Sequence, residues 1–420
     1  MSKAAWAFAS LNEHLDLLTD FEANGSFKDV KENVSVCEYP EYAWYVRATD
    51  LENKTNLQSV KYVNEHSYNF LKKTKLYGNE VLVTKRGEIG KVYFFESTPT
   101  HATLAPNLYL LKLKESIHAK FLFYYFKSDD GQQKLKGINA STTMGALYKD
   151  DVKKLQIPTP PKVEQQKIAS ILSSVDRVID LTETEIEKLK NLKKGMMQDL
   201  LTKGIGHTKF KDSAVGRIPE SWEVSQLKDC SSKITNGVVG SATPYYTSEA
   251  DGVPYIRGLN VRPNRFDSRS IIYITKEFHQ KQKKTILKAG DLLTVQSGHN
   301  GQTCVVPEQY EGSNLHAVIL TSLDQKRVNP YFASYFINSD VGMNQIEFIL
   351  TGTTVMHINT KDFKKFPIPI PSLHEQSEIV ARLQAIDNAE QSKQGKLGQI
   401  KMLKSGLMQD LLTGKVRVKV

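Results

Sequence analysis

The amino-acid sequence of 420 residues predicts a mixed α/β (α+β) fold that is built twice. Two similar globular domains are predicted to be separated by two long antiparallel coiled-coil helices, giving the chain an internal pseudo-two-fold repeat. Three observations support this architecture: a repeat at one fixed offset, a sustained heptad pattern in each copy, and strand-like runs divided by glycine-rich turns. Repetition on this scale determines the architecture before any single residue does.

The repeat relates each residue to the one that lies 211 positions later. The matched positions in the first copy are Ile157, Pro158, Pro160, Glu164, Gln165, Ile168, Leu172, Asp176 and Gly195. Their counterparts are Ile368, Pro369, Pro371, Glu375, Gln376, Ile379, Leu383, Asp387 and Gly406. The run Met-Gln-Asp-Leu-Leu-Thr at 197–202 returns at 408–413. We therefore expect the two helix ends to present two similar docking sites for a partner.

The long helices are predicted at about 160–203 and 371–414. In the first copy, residues at alternating steps of four and three form the a/d pattern of a coiled coil, starting at Ile168 and ending at Leu200. Proline is not tolerated inside a helix, so Pro161 and Pro371 mark the two starts. The alternative is a pair of ordinary amphipathic helices in separate domains, but such helices are much shorter.

The predicted globular domains are residues 1–155 and 206–365, and the repeated helical regions are 156–205 and 366–420. The run at 80–84 is predicted to be a strand, and the aromatic run at 121–126 is predicted to be a core helix. The side chains at 54–77 differ widely from those at 264–287. The same scaffold with different surfaces is typical of two recognition domains with different targets. The alternative is simple divergence after duplication.

The composition indicates an acidic partner and a reduced environment. Lys and Arg number 56 against 46 Asp and Glu, for a net charge of +10, and nucleic acid is the first candidate partner. The three cysteines, Cys37, Cys230 and Cys304, are far apart and lack metal-ligand spacing, which favours a cytoplasmic location. The sequence lacks a signal-peptide pattern and an apolar run of roughly 18 residues, so no membrane association is expected.

Several short motifs together resemble a known family. A linker at 203–211 leads into Gly-Arg-Ile-Pro-Glu-Ser-Trp-Glu-Val at 216–224. With the Ile-Pro-x-Pro element before each Glu-Gln and the repeated Gln-Asp-Leu-Leu-Thr, the chain resembles the specificity (S) subunit of Type I restriction-modification systems. The resemblance covers the whole chain in the order variable domain, repeated helix, variable domain, repeated helix. The first variable domain departs from it, because residues 4–8 read Ala-Ala-Trp-Ala-Phe instead of the Gly-x-Ile-Pro-Glu-x-Trp opening.

The resemblance implies a DNA-binding subunit without catalytic residues, cofactor or metal. Each target recognition domain is then expected to read one half of a bipartite, asymmetric target in double-stranded DNA. The repeated helices are expected to pair antiparallel, to set the spacing of the two domains and to dock two methyltransferase (modification) subunits. Restriction subunits with nuclease and translocase activity are expected to join that assembly.

Two other function classes remain as alternatives. The first is a DNA adenine methyltransferase or nuclease with its own active site, suggested by Asn-Pro-Tyr-Phe at 329–332. Tyr331 stands where that methyltransferase motif requires proline, and no glycine-rich loop for S-adenosylmethionine precedes it. Asn329 as N-cap and Pro330 at the first helical position explain these residues as a helix start. The second alternative is a scaffold that joins only proteins.

The candidate DNA-binding residues fall into two sets. The glycine turns at 85–90 and 297–301 lack P-loop spacing, but they let backbone approach a duplex. Their donors for phosphates or base edges are Lys85, Arg86, Gln296, His299 and Asn300. The second set lies in basic runs at corresponding places in both domains and comprises Arg47, Lys72, Lys73, Arg257, Arg262, Arg265 and Lys283. The alternative for each position is an ordinary solvated side chain.

Overall fold

The computed structural model of the chain describes residues 6–53, 55–96, 98, 100–138, 145–351 and 356–419. The chain divides into two compact units: unit 1 comprises residues 1–183 and 395–420, and unit 2 comprises residues 184–394. The central long helix, Lys162–Leu200, and the C-terminal long helix, Leu373–Leu412, each contribute a segment to both units. Within the described ranges, no helix is long and apolar enough to cross a membrane.

Unit 1 contains short strands and helices around two sheets. Its strands are Phe8–Ser10, Leu15–Asp20, Val36–Cys37, Ala43–Val46, Tyr62–Val63, Lys75–Leu76, Glu80–Thr84, Val92–Phe95, His101–Leu104, Leu108–Leu113 and Gln156–Pro158. Its α-helices before the central long helix are Phe27–Asn33, Ala48–Glu52, Glu65–Phe70, Ala119–Lys127, Asp129–Gly137 and Lys149–Lys154. Its 3₁₀ helices are Leu11–His14, Phe21–Asn24, Leu57–Ser59 and Lys72–Thr74.

The two largest sheets of unit 1 differ in strand direction. The first is a four-stranded antiparallel sheet in the order Leu15–Asp20, Leu108–Leu113, Glu80–Thr84, Val92–Phe95. The second has the order Val36–Cys37, Tyr62–Val63, Ala43–Val46, His101–Leu104, Lys75–Leu76. Its central pair, Ala43–Val46 and His101–Leu104, is parallel. The helix Ala119–Lys127 buries its aromatic residues in a core that continues onto the central long helix.

Unit 2 repeats this plan with additional strands. Its strands are Phe210–Ser213, Gly216–Pro219, Glu223–Gln226, Ser231–Asn236, Tyr246–Thr247, Gly252–Ile256, Val261–Arg262, Arg265–Phe266, Ile272–Thr275, Leu292–Val295, Thr303–Val305, Asn314–Leu315, Val318–Leu323, Leu350–Thr351, His357–Ile358 and Pro367–Ile370. Its α-helices are Lys276–Lys281, Pro330–Ile337, Asp340–Phe348 and Thr360–Phe363. Its 3₁₀ helices are Leu227–Cys230, Thr243–Tyr245, Gly258–Asn260, Lys283–Thr285 and Glu308–Tyr310.

The two largest sheets of unit 2 follow the same order as those of unit 1, except that the second has no strand at the place of Lys75–Leu76. The antiparallel sheet has the order Ser231–Asn236, Val318–Leu323, Leu292–Val295, Thr303–Val305. The second sheet has the order Tyr246–Thr247, Ile272–Thr275, Gly252–Ile256, Asn314–Leu315, and its last two strands are parallel. The same strand order and the same single parallel pairing confirm the prediction of two similar mixed α/β domains.

One pair of helices follows the predicted offset at both ends, because Asp129–Gly137 returns as Asp340–Phe348. Both helices have a serine N-cap. The hydroxyl of Ser128 accepts a hydrogen bond from the N–H of Gly131, and that of Ser339 accepts one from the N–H of Gly342, the third residue of each helix. A Cβ on Gly131 would lie 2.0 Å from the carbonyl oxygen of Tyr125, and one on Gly342 would lie 2.2 Å from that of Phe336. Close packing against the preceding helix therefore requires glycine at both positions.

The long helices pack against each other along the predicted apolar seam. In unit 1, Ile168, Leu172 and Ile179 are buried, and in unit 2, Ile379 and Leu383 are buried. Ion pairs border the seam in both units. In unit 1, Asp176 pairs with Lys404 at 2.5 Å and Glu183 pairs with Lys401 at 2.8 Å. In unit 2, Lys193 pairs with Asp387 at 2.5 Å and Glu185 pairs with Lys393 at 2.6 Å. In each unit, the later residue of one helix pairs with the earlier residue of the other. The segments are therefore antiparallel, as predicted.

Candidate nucleic-acid interface

In unit 2, a glutamate at the start of the C-terminal long helix holds the globular domain. One carboxylate oxygen of Glu375 accepts a hydrogen bond of 2.9 Å from the N–H of Ile205 and lies 2.8 Å from Nε2 of His207. The other accepts a hydrogen bond of 3.0 Å from the indole Nε1 of buried Trp222. The repeated glutamate of the Glu-Gln motif is thus an internal anchor.

Unit 1 builds the same anchor from the two ends of the chain. Oε2 of Glu164 accepts a hydrogen bond of 2.9 Å from the indole Nε1 of Trp6. The guanidinium of Arg417 contacts both carboxylate oxygens of Glu164 at 2.8 to 3.0 Å. Trp6 therefore takes the place of Trp222, although residues 4–8 lack the expected opening sequence. The C-terminal tail supplies the contact that the linker supplies in unit 2.

The glutamine of the same motif holds the first turn of a domain helix. Oε1 of Gln165 accepts a hydrogen bond of 2.6 Å from the N–H of His118, just before the helix Ala119–Lys127. Oε1 of Gln376 accepts one of 2.7 Å from the N–H of Asn329, the N-cap of the helix Pro330–Ile337. N–H groups at the start of a helix have no intrahelical partner, so the glutamine side chain supplies the missing acceptor.

A tyrosine, an aspartate and a lysine connect each domain to both long-helix segments of its unit. In unit 1, Oη of Tyr124 donates a hydrogen bond of 2.7 Å to Asp176, whose other oxygen pairs with Lys404. The counterparts in unit 2 are Tyr335, Asp387 and Lys193, with a hydroxyl-to-carboxylate distance of 2.5 Å. Burial, followed by this hydrogen bond, raises the pKa of Tyr335 well above its usual range, so its hydroxyl remains a donor.

The Gln-Asp-Leu-Leu ends of the long helices do not present their leucines to a partner. Leu200 and Leu201 lie in the core of unit 2, and Leu411 and Leu412 lie in the core of unit 1. The two docking sites predicted at these helix ends stay a prediction, and side chains other than these buried leucines would have to form their surface. The repeat retains the leucines because they close the domain core over the end of each helix.

The glycine turn of unit 1 has one buried and one exposed cation. Lys85 is 3% exposed, and its Nζ lies 2.8 Å from Oδ2 of Asp20 and also pairs with Glu22. This contradicts its predicted availability to DNA, because the side chain is enclosed and its charge is already neutralised. Arg86, the next residue, is exposed. Gly87 and Gly90 both have positive φ, which permits the tight turn.

The corresponding turn of unit 2 is neutral at the position of Lys85. That position is occupied by Gln296, whose Oε1 is enclosed without a hydrogen-bond partner among the described residues. Nδ2 of Asn300 donates a hydrogen bond of 3.0 Å to the carbonyl of Met356, which attaches the turn to the segment before His357–Ile358. His299 is exposed. The two turns therefore share a backbone shape and differ in the groups they offer.

Exposed lysines related by the repeat lie on corresponding 3₁₀ helices of the two units. Lys72 and Lys73 begin the 3₁₀ helix Lys72–Thr74, and Lys283 begins the 3₁₀ helix Lys283–Thr285. All three side chains are exposed, and Lys73 donates to the carbonyl of Ala23 at 2.8 Å. These lysines have the exposure that phosphate contact requires.

Arg47 and Arg257 occupy corresponding positions but differ in partners. Nε and Nη2 of Arg47 donate to the carboxylate of buried Asp50 at 3.0 and 2.6 Å, which neutralises the guanidinium. In unit 2, Asn260 replaces that aspartate and accepts a hydrogen bond of 3.0 Å from the backbone N–H of Arg257. Nη2 of Arg257 donates to the carbonyl of Ser270 at 3.0 Å. Among the described residues, the guanidinium of Arg257 therefore has a carbonyl acceptor and no carboxylate partner.

Arg262 and Arg265 lie on a hairpin of unit 2, formed by Val261–Arg262 and Arg265–Phe266. Arg265 is exposed. Nε of Arg262 lies 3.7 Å from the carboxylate of Asp267. The structure therefore brings the hairpin arginines close together on one surface.

The Asn-Pro-Tyr-Phe motif is a helix start. Oδ1 of Asn329 accepts hydrogen bonds from the N–H groups of Tyr331 at 2.9 Å and Phe332 at 3.4 Å, and Pro330 occupies the first turn. Phe332 is completely buried. The prediction of an N-cap is confirmed. Throughout the ranges that the structure describes, no group of three or more His, Cys, Asp or Glu residues could hold a metal ion, and all three cysteines are free.

The duplicated architecture agrees with a family comparison. The family model of the Type I restriction modification DNA specificity domain matches the chain twice, over residues 20–191 and 219–402. The chain belongs to this family. Each match of the specificity domain covers most of one globular domain together with most of the long helix that follows it.

Named specificity subunits and solved structures resemble this specificity-domain chain along most of its length. The putative type I restriction enzyme MjaX specificity subunit of Methanocaldococcus jannaschii is 30% identical over 88% of the chain and 85% of the relative. The EcoKI specificity subunit of Escherichia coli K12 is 20% identical over 73% of the chain and 68% of the relative. The crystal structure of the S subunit from M. genitalium has a TM-score of 0.60 at 14% identity, with 98% and 97% of the two chains covered. A structure from work on complex assembly of the type I R-M system has a TM-score of 0.55 at 16% identity, with 99% of both chains covered. At these identities the structural likeness concerns the fold.

Sequence reasoning missed the anchors that hold the two specificity domains on their helices. Tyr124 and Tyr335 are related by the 211-residue offset, so the repeat could have identified them. Trp6 could not be found in this way, because it lies 216 residues before its counterpart Trp222. Arg417 follows the last repeated helix, and nothing in the sequence indicates that it contacts Glu164.

Proposed function

We propose that this chain is the DNA sequence-specificity subunit of a Type I restriction-modification complex. Each globular domain reads one half of a bipartite, asymmetric target in double-stranded DNA. The observation that carries this proposal is one scaffold, held twice by the same anchors, that presents different groups at the corresponding glycine turns. Exposed Arg86 and Glu88 on the first turn correspond to exposed Ser297 and His299 on the second. Different surfaces on one fold are what two recognition domains with different targets require.

The proposed reading surface of each unit includes its glycine turn and its exposed lysines. Arg86 and His299 stand on the turns, and Lys72 and Lys283 stand on the corresponding 3₁₀ helices. Side chains on a tight turn can reach base edges, whereas lysines on a broad surface are suited to phosphates, which position the protein without reading sequence. Lys85 is left out of this surface because it is buried.

The proposed partners are two methyltransferase subunits and the restriction subunits of the same system, in the cytoplasm. The long helices are proposed to set the spacing of the DNA-reading domains 1–155 and 206–365, and the helical regions 156–205 and 366–420 are proposed to dock the methyltransferase subunits. In this proposal the chain itself is noncatalytic and needs no cofactor. The resemblance to named specificity subunits supports this assignment.

Methylome sequencing of the host, with and without the gene for this chain, tests the proposal. Deletion is expected to remove methylation at one class of bipartite sites and to leave other methylated motifs unchanged. Restoring the gene is expected to restore the same sites. Unchanged methylation after deletion, in a strain that contains active partner subunits, would contradict the proposal.

Binding measurements on the purified chain separate this function from its rivals. The chain alone is expected to bind duplex DNA weakly and with steep salt dependence, because phosphate contacts dominate in the absence of partner subunits. It is expected not to bind S-adenosylmethionine. Binding of that cofactor would favour a methyltransferase, and DNA affinity no greater than that of a protein of equal charge would favour a scaffold.

A further inference from the structure

The two DNA-reading units differ in how their basic side chains are neutralised. In unit 1, Arg47 pairs with Asp50, Lys61 pairs with Glu38 at 3.0 Å, and Lys91 pairs with Glu52 at 2.6 Å and also with Glu88. Lys85 is neutralised by Asp20 and Glu22. Much of the basic run of unit 1 therefore already has acidic partners within the same unit.

Unit 2 has a different balance of acidic and basic side chains around the hairpin formed by Val261–Arg262 and Arg265–Phe266. We call this hairpin the arginine hairpin. Asp267 is the acidic side chain paired there, and it accepts bonds of 2.9 and 2.7 Å from the guanidinium of Arg269. Those hydrogen bonds hold the pKa of Asp267 far below its usual range, so it is fully ionised. Arg262 is its second, more distant cation at 3.7 Å. One carboxylate is thus shared by two arginines, and Arg265 adds further positive charge.

The arginine hairpin is fixed in place at its tip. Asn264 has φ of 59°, and its N–H donates a hydrogen bond of 2.9 Å to the carbonyl of Thr303. Its Oδ1 accepts hydrogen bonds of 2.9 Å from Oγ of Ser334 and 2.8 Å from Nδ2 of Asn338. Phe266 stacks on Tyr310 at a centroid distance of 4.5 Å. The two arginines that flank Asn264 therefore project from a preorganised backbone, which reduces the entropy cost of binding a ligand.

The tip also lies at the same end of the sheet as the glycine turn. Thr303 begins the edge strand Thr303–Val305 and follows Gly301 by two residues. The N–H of Thr303 donates to Oδ1 of Asn338 at 3.0 Å, and Asn338 also holds Asn264. The tip of the arginine hairpin is therefore held against the strand that follows the turn carrying His299 and Asn300.

A groove of about 590 Å³ separates the arginine hairpin from the C-terminal long helix within unit 2. Its helix side presents the neutral amides Gln384, Asn388, Gln391 and Gln394. Its two carboxylates are Asp387, which pairs with Lys193, and Glu390, which accepts a hydrogen bond of 2.8 Å from Gln394. Three cations, Lys193, Arg262 and Arg265, therefore line the groove against two carboxylates. The corresponding groove of unit 1, of about 610 Å³, lacks a hairpin among the described residues, and its lining has three carboxylates, Glu96, Asp176 and Asp180, balanced by three cations, Lys120, Lys127 and Arg177. The groove of unit 2 is the one suited to an anion.

We propose that the arginine hairpin is a phosphate clamp, and that Arg262 and Arg265 make unit 2 the main source of electrostatic affinity for the DNA backbone. This inference rests on the proposed function, because it assumes that unit 2 faces a duplex. Guanidinium groups bind phosphate through paired N–H donors, and a rigid hairpin holds both groups ready. Unit 1 makes a smaller electrostatic contribution, because Arg47, Lys61, Lys85 and Lys91 would have to leave carboxylate partners first, and Lys72, Lys73 and Arg86 remain as the exposed cations among its candidate DNA-binding residues.

The test is the salt dependence of DNA binding by the full chain. Each phosphate neutralised on a duplex contributes about 0.9 to the slope of log affinity against log salt concentration. Arg262→Gln with Arg265→Gln is therefore expected to lower the slope by about 1.8. Between 50 and 200 mM salt the variant should lose about tenfold less affinity than the unmodified chain. The slope should fall by the same amount on duplexes with and without the target sequence, because phosphate contacts carry no sequence information.

The matched control is Lys61→Gln with Lys91→Gln, which removes two ion-paired charges from unit 1. It is expected to leave the slope within about 0.5 of the original value. Arg262→Lys with Arg265→Lys should retain most of the slope, which separates loss of charge from loss of fold. An unchanged slope in the arginine-to-glutamine variant, or an equal loss in the lysine control, would overturn the clamp. A chain with no DNA affinity at any salt concentration would instead overturn the proposed function itself.

Discussion

Trp6 and Glu164, which lie 158 residues apart, are joined by a hydrogen bond of 2.9 Å from the indole Nε1 to the carboxylate. Trp222 and Glu375 form the same bond at 3.0 Å across 153 residues. In both units, a tryptophan at the start of the globular domain closes onto the long helix at the domain's other end. The bond therefore defines where each domain begins, even where the local sequence differs.

The first prediction concerns the carboxylate of Glu164. Glu164→Gln keeps an oxygen that can accept from Trp6 but removes the charge that pairs with Arg417, whose side chain is 16% exposed. Removing one partner of a buried ion pair is strongly destabilising, so the free energy of unfolding should fall by about 3 kcal/mol. Urea unfolding of the full chain, followed by tryptophan fluorescence, measures this change.

The matched control is Glu183→Gln, on the same long helix as Glu164. It removes a solvent-exposed ion pair with Lys401 of the C-terminal long helix. Exposed ion pairs contribute about 1 kcal/mol or less to stability, so the midpoint of urea unfolding should hardly change. Equal destabilisation by the two variants would show that the Glu164 anchor does not hold unit 1 together.

The second prediction concerns the pH dependence of unit 1. Burial tends to raise the pKa of Asp20, but hydrogen bonds from Lys149 and Lys85 outweigh it and lower that pKa. A depressed carboxyl pKa stabilises the fold above the unfolded value of about 3.9, and this stability is lost as pH falls through the folded value. The free energy of unfolding should therefore decrease as pH falls below about 4, and Asp20→Asn should weaken that decrease.

Asp16 lies on the same strand, Leu15–Asp20, and its side chain is exposed. Asp16→Asn should preserve the pH dependence of the unmodified chain. At neutral pH, Asp20→Asn should also be less stable than Asp16→Asn, because it leaves buried Lys85 with one carboxylate partner fewer. Urea unfolding between pH 7 and pH 3 distinguishes these results, and identical pH profiles for all three proteins would contradict the prediction.

The sequence was sufficient for the duplicated fold because the repeat and the heptad pattern are local and periodic. Ile168 and Leu172 are buried where the four-three pattern places them. Lys85 shows the limit of this reasoning. Its neighbours in the chain indicate an exposed turn, but Asp20, 65 residues away, approaches it through sheet pairing and encloses the charge. Ion pairs that depend on tertiary contacts leave no periodic trace in the sequence.

The candidate DNA surface was predictable only in part for the same reason. Lys72 and Lys283 are exposed at positions related by the repeat. The arginine hairpin depends on Asn264, whose contacts with Ser334 and Asn338 span 70 and 74 residues. A basic run in the sequence shows how many charges are present. It cannot show which of them are neutralised by distant carboxylates.

The third prediction is modularity of recognition. Replacing residues 1–155 with the matching domain of a relative should change one half of the DNA target and leave the other half unchanged, because each unit has its own scaffold. The incoming domain must supply a tryptophan at the position of Trp6, since Glu164 lies outside the exchanged segment. Methylome sequencing of a host with the chimaera identifies both halves. A change in both halves, or in neither, would contradict the model of two independent readers.

The fourth prediction concerns the long helices as a spacer between the two proposed readers. Four residues inserted at 182–185 of the central long helix, with four inserted at the facing position of the C-terminal long helix, should lengthen the pair by about 6 Å, at about 1.5 Å per residue. Duplex DNA advances roughly 3.4 Å per base pair, so the preferred gap between half-sites should grow by about two base pairs. The insertion turns each helix about 40° beyond a full turn, whereas two base pairs turn the duplex by roughly 70°. This moderate mismatch should lower affinity without abolishing the new spacing.

Insertion of a single residue is the sharper control, because it breaks the alternating four-three seam in the central long helix. Thr182 and Ile186, which are buried beside the exposed pair of Glu185 with Lys393, would move by one position on the helix surface. A displaced seam exposes apolar side chains and buries polar ones, so binding should weaken at every gap length. Selection of bound sites from a library of duplexes with variable gaps measures both variants. If the four-residue variant still selected only the original gap, the spacing of the half-sites would be set by something other than these helices.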